Sequence, residues 1–82
     1  MPRVVLSVNL SEQFAAGLDS FDVEASNVRQ MLRALDKLHP GLGSHIEDKM
    51  AIAIDGTIYP HPERQPIGPN SEVVVIPRLP GG

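Results

Sequence analysis

One amphipathic helix sets the architecture that this chain can adopt. Between residues 28 and 38, apolar side chains recur at i, i+3, i+4, i+7 and i+10, which aligns them along one side of an α-helix. A helix with a single apolar stripe has to pack that stripe against another layer of structure. The pattern predicts one main helix lying on one face of a sheet. The stripe consists of Val28, Met31, Leu32, Leu35 and Leu38.

Polar residues indicate where this helix begins and ends. The Asn27 side chain can cap the first turn, and Gln30 three residues later gives a pair that resembles a capping box. Pro40 and Gly41 are typical of a helix end. Basic residues at i, i+4 spacing follow the side opposite the stripe, and we interpret them as a solvent-exposed face. They are Arg29, Arg33 and Lys37.

The N-terminal third of the chain predicts two strands. In residues 3–9, apolar side chains recur at every second position from residue 4, which is typical of a half-buried strand, and residues 20–23 suit a second one. Between them, residues 11–16 predict a single helical turn that ends at Gly17. The first strand is expected to bury Val4, Leu6 and Val8 together.

The C-terminal half predicts a hairpin and a last strand. Residues 50–54 and 57–59 flank Asp55-Gly56, a pair that tolerates the positive φ angles of a type I′ turn. Proline-rich residues 60–69 are expected to form a loop. Residues 73–76 are apolar at every position, which is typical of a central strand covered on both faces.

The last strand also predicts a second apolar surface. If Val73 and Val75 pack under the helix, Val74 and Ile76 point to the side that has no helix. Exposed apolar surface of this kind tends to be an interaction site, although the 60–69 loop or a second copy of the chain are alternative covers. The same side is expected to include Val5, Ala51 and Ala53.

Length, charge and composition exclude several classes of function. The 82 residues suffice for one domain, and a net charge of −3 argues against nucleic acid as the main partner. The absence of cysteine excludes disulfide scaffolds, cysteine-ligated metal sites and a catalytic thiol. No apolar run approaches the roughly 20 residues of a membrane span, and residues 1–7 lack a secretory signal. We expect a cytoplasmic carrier, modifier or adaptor rather than an enzyme.

Other side chains with potential chemistry show no useful spacing. His39, His45 and His61 do not form a metal-ligand pattern, so no metal site is predicted. Residues 41–44 lack the lysine and the spacing of a phosphate-binding loop, and we interpret them as a turn. The adjacent carboxylates at residues 47–48 are expected to be solvated.

The sequence ends on a segment whose backbone is expected to leave the sheet. Pro77 and Pro80 lack an N–H, and Pro80 disfavours a helix at the residue before it, so residues 77–82 are expected to be an extended flexible tail. Residues 1–76 are then expected to form the folded domain that precedes this tail. Six extended residues reach roughly 20 Å, and two terminal glycines fit a channel too narrow for any Cβ.

These features together resemble the MoaD/ThiS sulfur carriers, whose fold is the ubiquitin-like β-grasp. The markers are Asn27-Val28 at the start of the helix, Leu-His-Pro-Gly-Leu at 38–42, and Glu-Val-Val-Val-Ile-Pro-Arg-Leu-Pro-Gly-Gly at 72–82. Length and the 38–42 turn are more similar to MoaD than to ThiS. The resemblance implies an α+β fold, with a mixed sheet of four to five strands and one main helix on one face.

The resemblance also implies a chemistry and a set of partners. An E1-like adenylating enzyme of MoeB or ThiF type uses ATP and Mg²⁺ to activate the C-terminal carboxylate of Gly82, and a sulfur donor converts it to a thiocarboxylate. The chain itself would bind no cofactor, and a recipient synthase such as a MoaE-like large subunit would accept the sulfur. The residues implied in partner binding are Gly81, Leu79, Arg78, Ile76 and Val74.

Three hypotheses remain open at this point. In the first, the chain is a sulfur carrier for molybdopterin synthesis, with thiamin, cysteine or secondary-metabolite pathways as alternatives. In the second, it is a ubiquitin-like modifier joined to other proteins through Gly82. In the third, it is an interaction module whose tail has no role. Pro77-Arg78 and Pro80 depart from the usual family tail, and the sequence assigns them no role.

Overall fold

Helices pack on one face of a single mixed sheet. This computed structural model describes residues 1–59 and 62–78. The strands are β1 (Arg3–Val5), β2 (Ser20–Asp22), β3 (Met50–Ile54), β4 (Thr57–Tyr59) and β5 (Glu72–Pro77). The helices are α1 (Val8–Phe14), α2 (Val28–Leu38) and α3 (Leu42–Lys49), and a short 3-10 turn spans Pro62–Arg64. No helix in these two described stretches is both long and apolar enough to cross a membrane.

The last strand occupies the centre of the sheet, as its all-apolar sequence predicts. The spatial order is β2-β1-β5-β3-β4. β5 runs parallel to β1 and antiparallel to β3, while β1–β2 and β3–β4 are antiparallel pairs. This five-stranded mixed sheet with helices on one face confirms the predicted β-grasp fold.

The core lies between α2 and one face of the sheet. Val28, Met31 and Leu35 of α2 are fully buried, and so is Val73 of β5. Leu38, predicted to belong to the buried stripe, is 58% exposed, so that part of the prediction is wrong. At about 100° per residue, Leu38 lies roughly 80° around the helix axis from Val28, at the edge of the stripe and in the last turn.

The predicted Asn27 cap of α2 is present, and the reciprocal bond of Gln30 is shifted by one residue. The Asn27 side chain accepts a hydrogen bond from the Gln30 backbone N–H at 2.8 Å. The Gln30 side chain accepts from the N–H of Ser26, also at 2.8 Å, one residue before the position of a standard capping box. Helix α2 therefore begins where the sequence indicates.

The first strand is shorter than predicted. β1 ends at Val5, because Ser7 adopts an extended backbone and its side chain accepts from the Leu10 N–H at 3.3 Å, which starts α1. Val8 is then on the helix and 66% exposed, so its predicted burial beside Val4 is wrong. Leu10 takes up the core position instead.

A third helix replaces the turn predicted at residues 41–44. Gly41 has a φ of +92°, a left-handed backbone conformation that lets the chain turn after α2. Helix α3 begins at the next residue. The Asp36 carboxylate of α2 accepts from the N–H of Gly43 at 2.7 Å and of Ser44 at 3.3 Å, so it caps the first turn of α3 from outside. Leu42 and Ile46 of α3 are buried.

The hairpin of β3 and β4 has the predicted turn and an additional tie to β5. Asp55 and Gly56 both have positive φ, +49° and +87°, as a type I′ turn requires. The Asp55 carboxylate accepts from the Glu72 N–H at 2.9 Å and from the Ser71 hydroxyl at 2.8 Å. These two hydrogen bonds, led by the one from Glu72, hold the pKa of Asp55 below its ordinary value.

We expect Gly43→Ala to destabilise the protein by about 2–3 kcal/mol, because overpacking of this kind forces backbone to move. A Cβ at Gly43 would overlap the carbonyl oxygen of Leu32, which is backbone of α2. Gly68→Ala is the matched control, since its Cβ meets only the Ser71 hydroxyl at 3.2 Å. Urea unfolding measures both; equal stability of the two variants would contradict the close approach of α2 and α3.

Acidification should remove the contribution of Asp55. A carboxyl whose pKa is lowered in the folded state stabilises fully above its unfolded pKa, near 3.8, and loses that contribution as pH falls through the folded value. Asp55→Asn, which keeps a residue suited to the turn, should therefore show a smaller loss of stability between pH 5 and pH 2–3 than the unsubstituted chain. Urea unfolding across this range tests it, and parallel curves would contradict the assignment.

Candidate functional site

The two faces of β5 differ in burial as predicted. Val73 is fully buried and Val75 is 2% exposed, both beneath the helices. Val74 and Ile76 are only half-buried and point to the helix-free side of the sheet. The central strand therefore presents apolar side chains where no helix covers them.

Strand register joins these side chains into one surface. Val74 lies opposite Val5 of β1 and Ala53 of β3, and Ala53 lies opposite Ile58 of β4. Ile76 lies opposite Ala51. We call this surface the apolar sheet patch; it consists of Val5, Ala51, Ala53, Ile58, Val74 and Ile76.

Ile58 is the member that the sequence analysis missed. It is 61% exposed, the most exposed side chain of the patch, and belongs to the edge strand β4. The register of a two-residue hairpin, counted outward from Asp55-Gly56, pairs it with Ala53 and would have placed it there. Between β5 and β4 the patch has only the small side chains of Ala51 and Ala53, so it is shallow there.

The patch has a polar end and an end next to the tail. The row formed by Asp22, Arg3 and Glu72 borders it at the start of β5. At the other end, Ile76 is two residues from Arg78, the last residue described before 79–82. A partner bound to the apolar sheet patch therefore contacts the chain beside the base of the tail.

The proline-rich loop, one of the alternative covers, packs elsewhere. Within its described part, residues 62–69, the Ile67 N–H donates to the Ser26 carbonyl at 2.9 Å and Gln65 O accepts from the Val28 N–H at 3.1 Å. Ile67 is buried at the start of α2. This part of the loop is anchored on the helix side of the sheet.

Arg78, predicted to bind a partner, is engaged within the chain. Its guanidinium donates to the carbonyl oxygens of Glu47 at 3.3 Å, Asp48 at 3.1 Å and Met50 at 3.0 Å. The carbonyls of Glu47 and Asp48 lie in the last turn of α3, where helix carbonyls lack partners in the helix itself, and Met50 is the first residue of β3. The side chain is nevertheless exposed, so its predicted partner contact stays a prediction.

The remaining tail residues lie outside the described part of the chain. Leu79, Gly81 and Gly82 were predicted to bind or react, and residues 79–82 are not described. β5 continues through Pro77, which pairs with Met50, so the sheet extends one residue past the predicted boundary at 76.

Comparison with known families identifies the chain. The model of the ThiS family matches residues 6–82, nearly the whole sequence and including both terminal glycines. The chain belongs to the ThiS family. This confirms the resemblance to sulfur carriers of the MoaD/ThiS type, while the nearer resemblance to MoaD stays a prediction. No curated protein matches the sequence.

Solved structures share the fold of this ThiS-family chain. CysO of Mycobacterium tuberculosis, described as an antigen, superposes with a TM-score of 0.84 at 12% identity, covering 96% of this chain and all of the other. CysO in the BexX/CysO complex of Amycolatopsis orientalis gives 0.83 at 13%, with both chains fully covered. The small archaeal modifier protein SAMP1 of Methanosarcina acetivorans gives 0.78 at 22%, covering 99% and 95%. At these identities the likeness establishes the ubiquitin-like β-grasp fold.

The two described histidines pack against phenylalanine rings in a tilted arrangement. His39 lies 5.6 Å from Phe21 and His45 lies 5.1 Å from Phe14, measured between ring centroids. Across residues 1–59 and 62–78, no three His, Cys, Asp or Glu side chains come together as a metal site would require. His61 lies outside the described residues.

The two faces of β5 predict opposite outcomes for one substitution. Val75→Asp puts a charge into the core at a cost of several kcal/mol and should leave the chain unfolded. Ile76→Asp, on the apolar sheet patch, should cost about 1 kcal/mol and leave a cooperative fold. Circular dichroism with thermal unfolding measures both; an unfolded Ile76→Asp would contradict the assignment of faces.

Proposed function

We propose that this ThiS-family chain carries sulfur as a thiocarboxylate on Gly82. The observation that supports this most is the family match, which runs through Gly81-Gly82 on a β-grasp whose last strand ends beside an uncovered apolar patch. The domain supplies the reactive group and the recognition surface. Its partners supply the catalysis, so the chain acts as a carrier and not as an enzyme.

The proposed chemistry begins with an unreactive group. An α-carboxylate has a pKa near 3.3–3.7 and is ionised at pH 7, so it is a poor electrophile. An E1-like enzyme of MoeB or ThiF type would join it to AMP from ATP, with Mg²⁺ present and pyrophosphate released. A sulfur donor would then attack the acyl carbon, AMP would leave, and the thiocarboxylate would form.

The described residues suggest how such partners would bind. Val74 and Ile76 lie at the centre and the tail end of the apolar sheet patch, so an apolar partner surface can cover them while the tail enters its active site. Leu79 would extend this contact, and Gly81 would let the carboxylate pass a narrow channel. The BexX/CysO complex of Amycolatopsis orientalis shows a neighbour of the same fold together with another protein.

Molybdopterin synthesis is the first pathway that we propose for the delivered sulfur. A MoaE-like large subunit would then be the recipient, in the cytoplasm. Thiamin, cysteine and secondary-metabolite synthesis are the alternative pathways. The apolar sheet patch suits any of them, because it presents shape and apolar area rather than a pathway-specific group.

A second candidate function is protein modification. SAMP1 proteins, described as small archaeal modifier proteins, share the fold at 22–24% identity. A modifier would use the same adenylate at Gly82 but pass the acyl group to a lysine amine of another protein. Isopeptide-linked adducts of Gly82 in cells distinguish this candidate from the carrier.

We expect a thiol alkylator to modify the chain at Gly82 alone. The protein would be purified with its natural C-terminus from its own cells, or incubated with an E1-like enzyme, ATP, Mg²⁺ and a sulfide source. Because the sequence has no cysteine, an alkyl group mapped to the C-terminal peptide identifies a thiocarboxylate. Intact and peptide masses are the measurement.

Two controls make this result decisive. Peptide mapping is needed because oxidation of a methionine changes the mass almost as an exchange of oxygen for sulfur does, and the chain has three methionines. Deletion of Gly81-Gly82 should abolish the adduct. An adenylate without any adduct would favour the modifier, and full cellular activity of the deletion variant would leave only an interaction module.

A further inference from the structure

We propose that Arg78 is a positioning residue, whose attachment to the end of α3 fixes the direction in which the tail leaves the domain. The benefit to a partner enzyme rests on the proposed carrier function, whereas the attachment of Arg78 to α3 can be tested on the free chain. It gives a role to a residue that departs from the usual family tail. The sequence suggests only a partner contact for it.

The hydrogen bonds of Arg78 meet a specific need of α3. The carbonyls of the last turn of a helix have no N–H partners within it. At the end of α3, the Met50 N–H satisfies the carbonyl of Ile46. Arg78 donates to the next two carbonyls, those of Glu47 and Asp48, so it supplies the partners that the helix lacks.

Charge and geometry both favour arginine at this position. The C-terminal end of a helix carries partial negative charge, which a cation stabilises. A planar guanidinium presents several donors in a fixed fork, whereas a lysine ammonium is a compact point charge on a flexible stem. One Arg78 side chain reaches three carbonyls within 3.0–3.3 Å, which a lysine is not shaped to do.

The strand register explains why the Met50 carbonyl has no partner in β5. Met50 and Pro77 are register partners at the end of the β3–β5 ladder. The Asp55 N–H donates to the Glu72 carbonyl, and every second residue of β3 faces β5 in the same way, so Met50 directs its carbonyl away from β5. Arg78 donates to that carbonyl at 3.0 Å and continues the attachment of β5 to β3 one residue beyond the ladder.

The attachment bears on the tail because of its place in the chain. Arg78 immediately precedes residues 79–82, and four residues extend at most about 14 Å. Fixing residue 78 against α3 thus limits where a carboxylate on Gly82 can be, relative to the apolar sheet patch. A partner that binds the patch and the carboxylate together gains from this restriction, because less chain has to be ordered on binding.

The first test uses the free chain. We expect Arg78→Ala to speed hydrogen exchange of the amides in the last turn of α3 and at Met50 about tenfold, with α2 unchanged. Arg64→Ala removes an exposed arginine from the 3-10 turn and serves as the matched control. A nitroxide label gives a second readout of the direction of the tail. In the Gly82→Cys variant, a nitroxide on this sole cysteine should broaden the NMR signals of a restricted set of backbone amides. Adding Arg78→Ala should spread the broadening over a wider set of amides.

The second test measures adenylation by the E1-like enzyme of the source organism, as pyrophosphate release. For Arg78→Ala we expect KM to rise about tenfold, because the tail is no longer held by the hydrogen bonds of Arg78 to α3 and has to be ordered on binding. We expect kcat to stay within about twofold. Arg78→Lys should give an intermediate KM, because it keeps the charge and loses the fork. Arg64→Ala should match the unsubstituted chain.

The outcomes separate this inference from the carrier function. A raised KM with unchanged exchange and broadening would mean direct contact with the enzyme and would overturn the positioning role. Changed exchange and broadening with an unchanged KM would overturn it too, and so would full recovery by Arg78→Lys. If the unsubstituted chain is not adenylated, the proposed carrier function is wrong. If hydrogen exchange and nitroxide broadening are unchanged in Arg78→Ala, the attachment of Arg78 to α3 is wrong, whatever the function of the chain.

Discussion

The pairing of β5 between β1 and β3 is the contact on which the other elements depend. It joins the strands that come from the two halves of the chain into one sheet. It also assigns the faces, since Val73 and Val75 point into the core and Val74 and Ile76 point away. A shift of the register by one residue would exchange these sets, burying the patch and exposing the core. The binding surface and the core are therefore determined together.

Helix α3 links the base of the tail to the core, because a charged side chain from another element caps each of its ends. Its N-terminus is capped by a carboxylate from α2, Asp36, and its C-terminus by a guanidinium beyond β5, Arg78. Both charges have the sign that the helix dipole favours. An eight-residue helix is marginal alone, so these contacts and the burial of Leu42 and Ile46 maintain it. The base of the tail is thus attached to a helix that is in turn attached to the core.

The sequence predicted the elements whose signals are local. The stripe of α2 with Asn27 before it, the Asp55-Gly56 turn and the apolar last strand each depend on neighbouring residues, and the structure confirms them. Errors arose where a single side chain or a distant contact decided the outcome. Ser7 starts a helix within a run that alternates like a strand.

The candidate site also has a part that local sequence patterns predicted and a part that they did not. Alternation along β5 was enough to predict Val74 and Ile76 on the uncovered side, and the hairpin register would have added Ile58. The attachment of Arg78 was not predictable by such reasoning, because its acceptors are backbone carbonyls 28 to 31 residues earlier in the chain. Helix α3 was missed for a related reason, since two glycines at its start weaken its local signal and its cap comes from α2.

The parallel contact between β1 and β5 also affects when the surface comes into being. These strands lie almost at opposite ends of the sequence, so their pairing closes a loop that includes most of the domain. Contacts of such long sequence separation are slow to form, because the entropy of closure has to be met first. The apolar sheet patch and the attachment of Arg78 both require β5 in place. Partners that recognise them consequently select chains that have completed folding, and a partly folded chain offers no surface beside its reactive end.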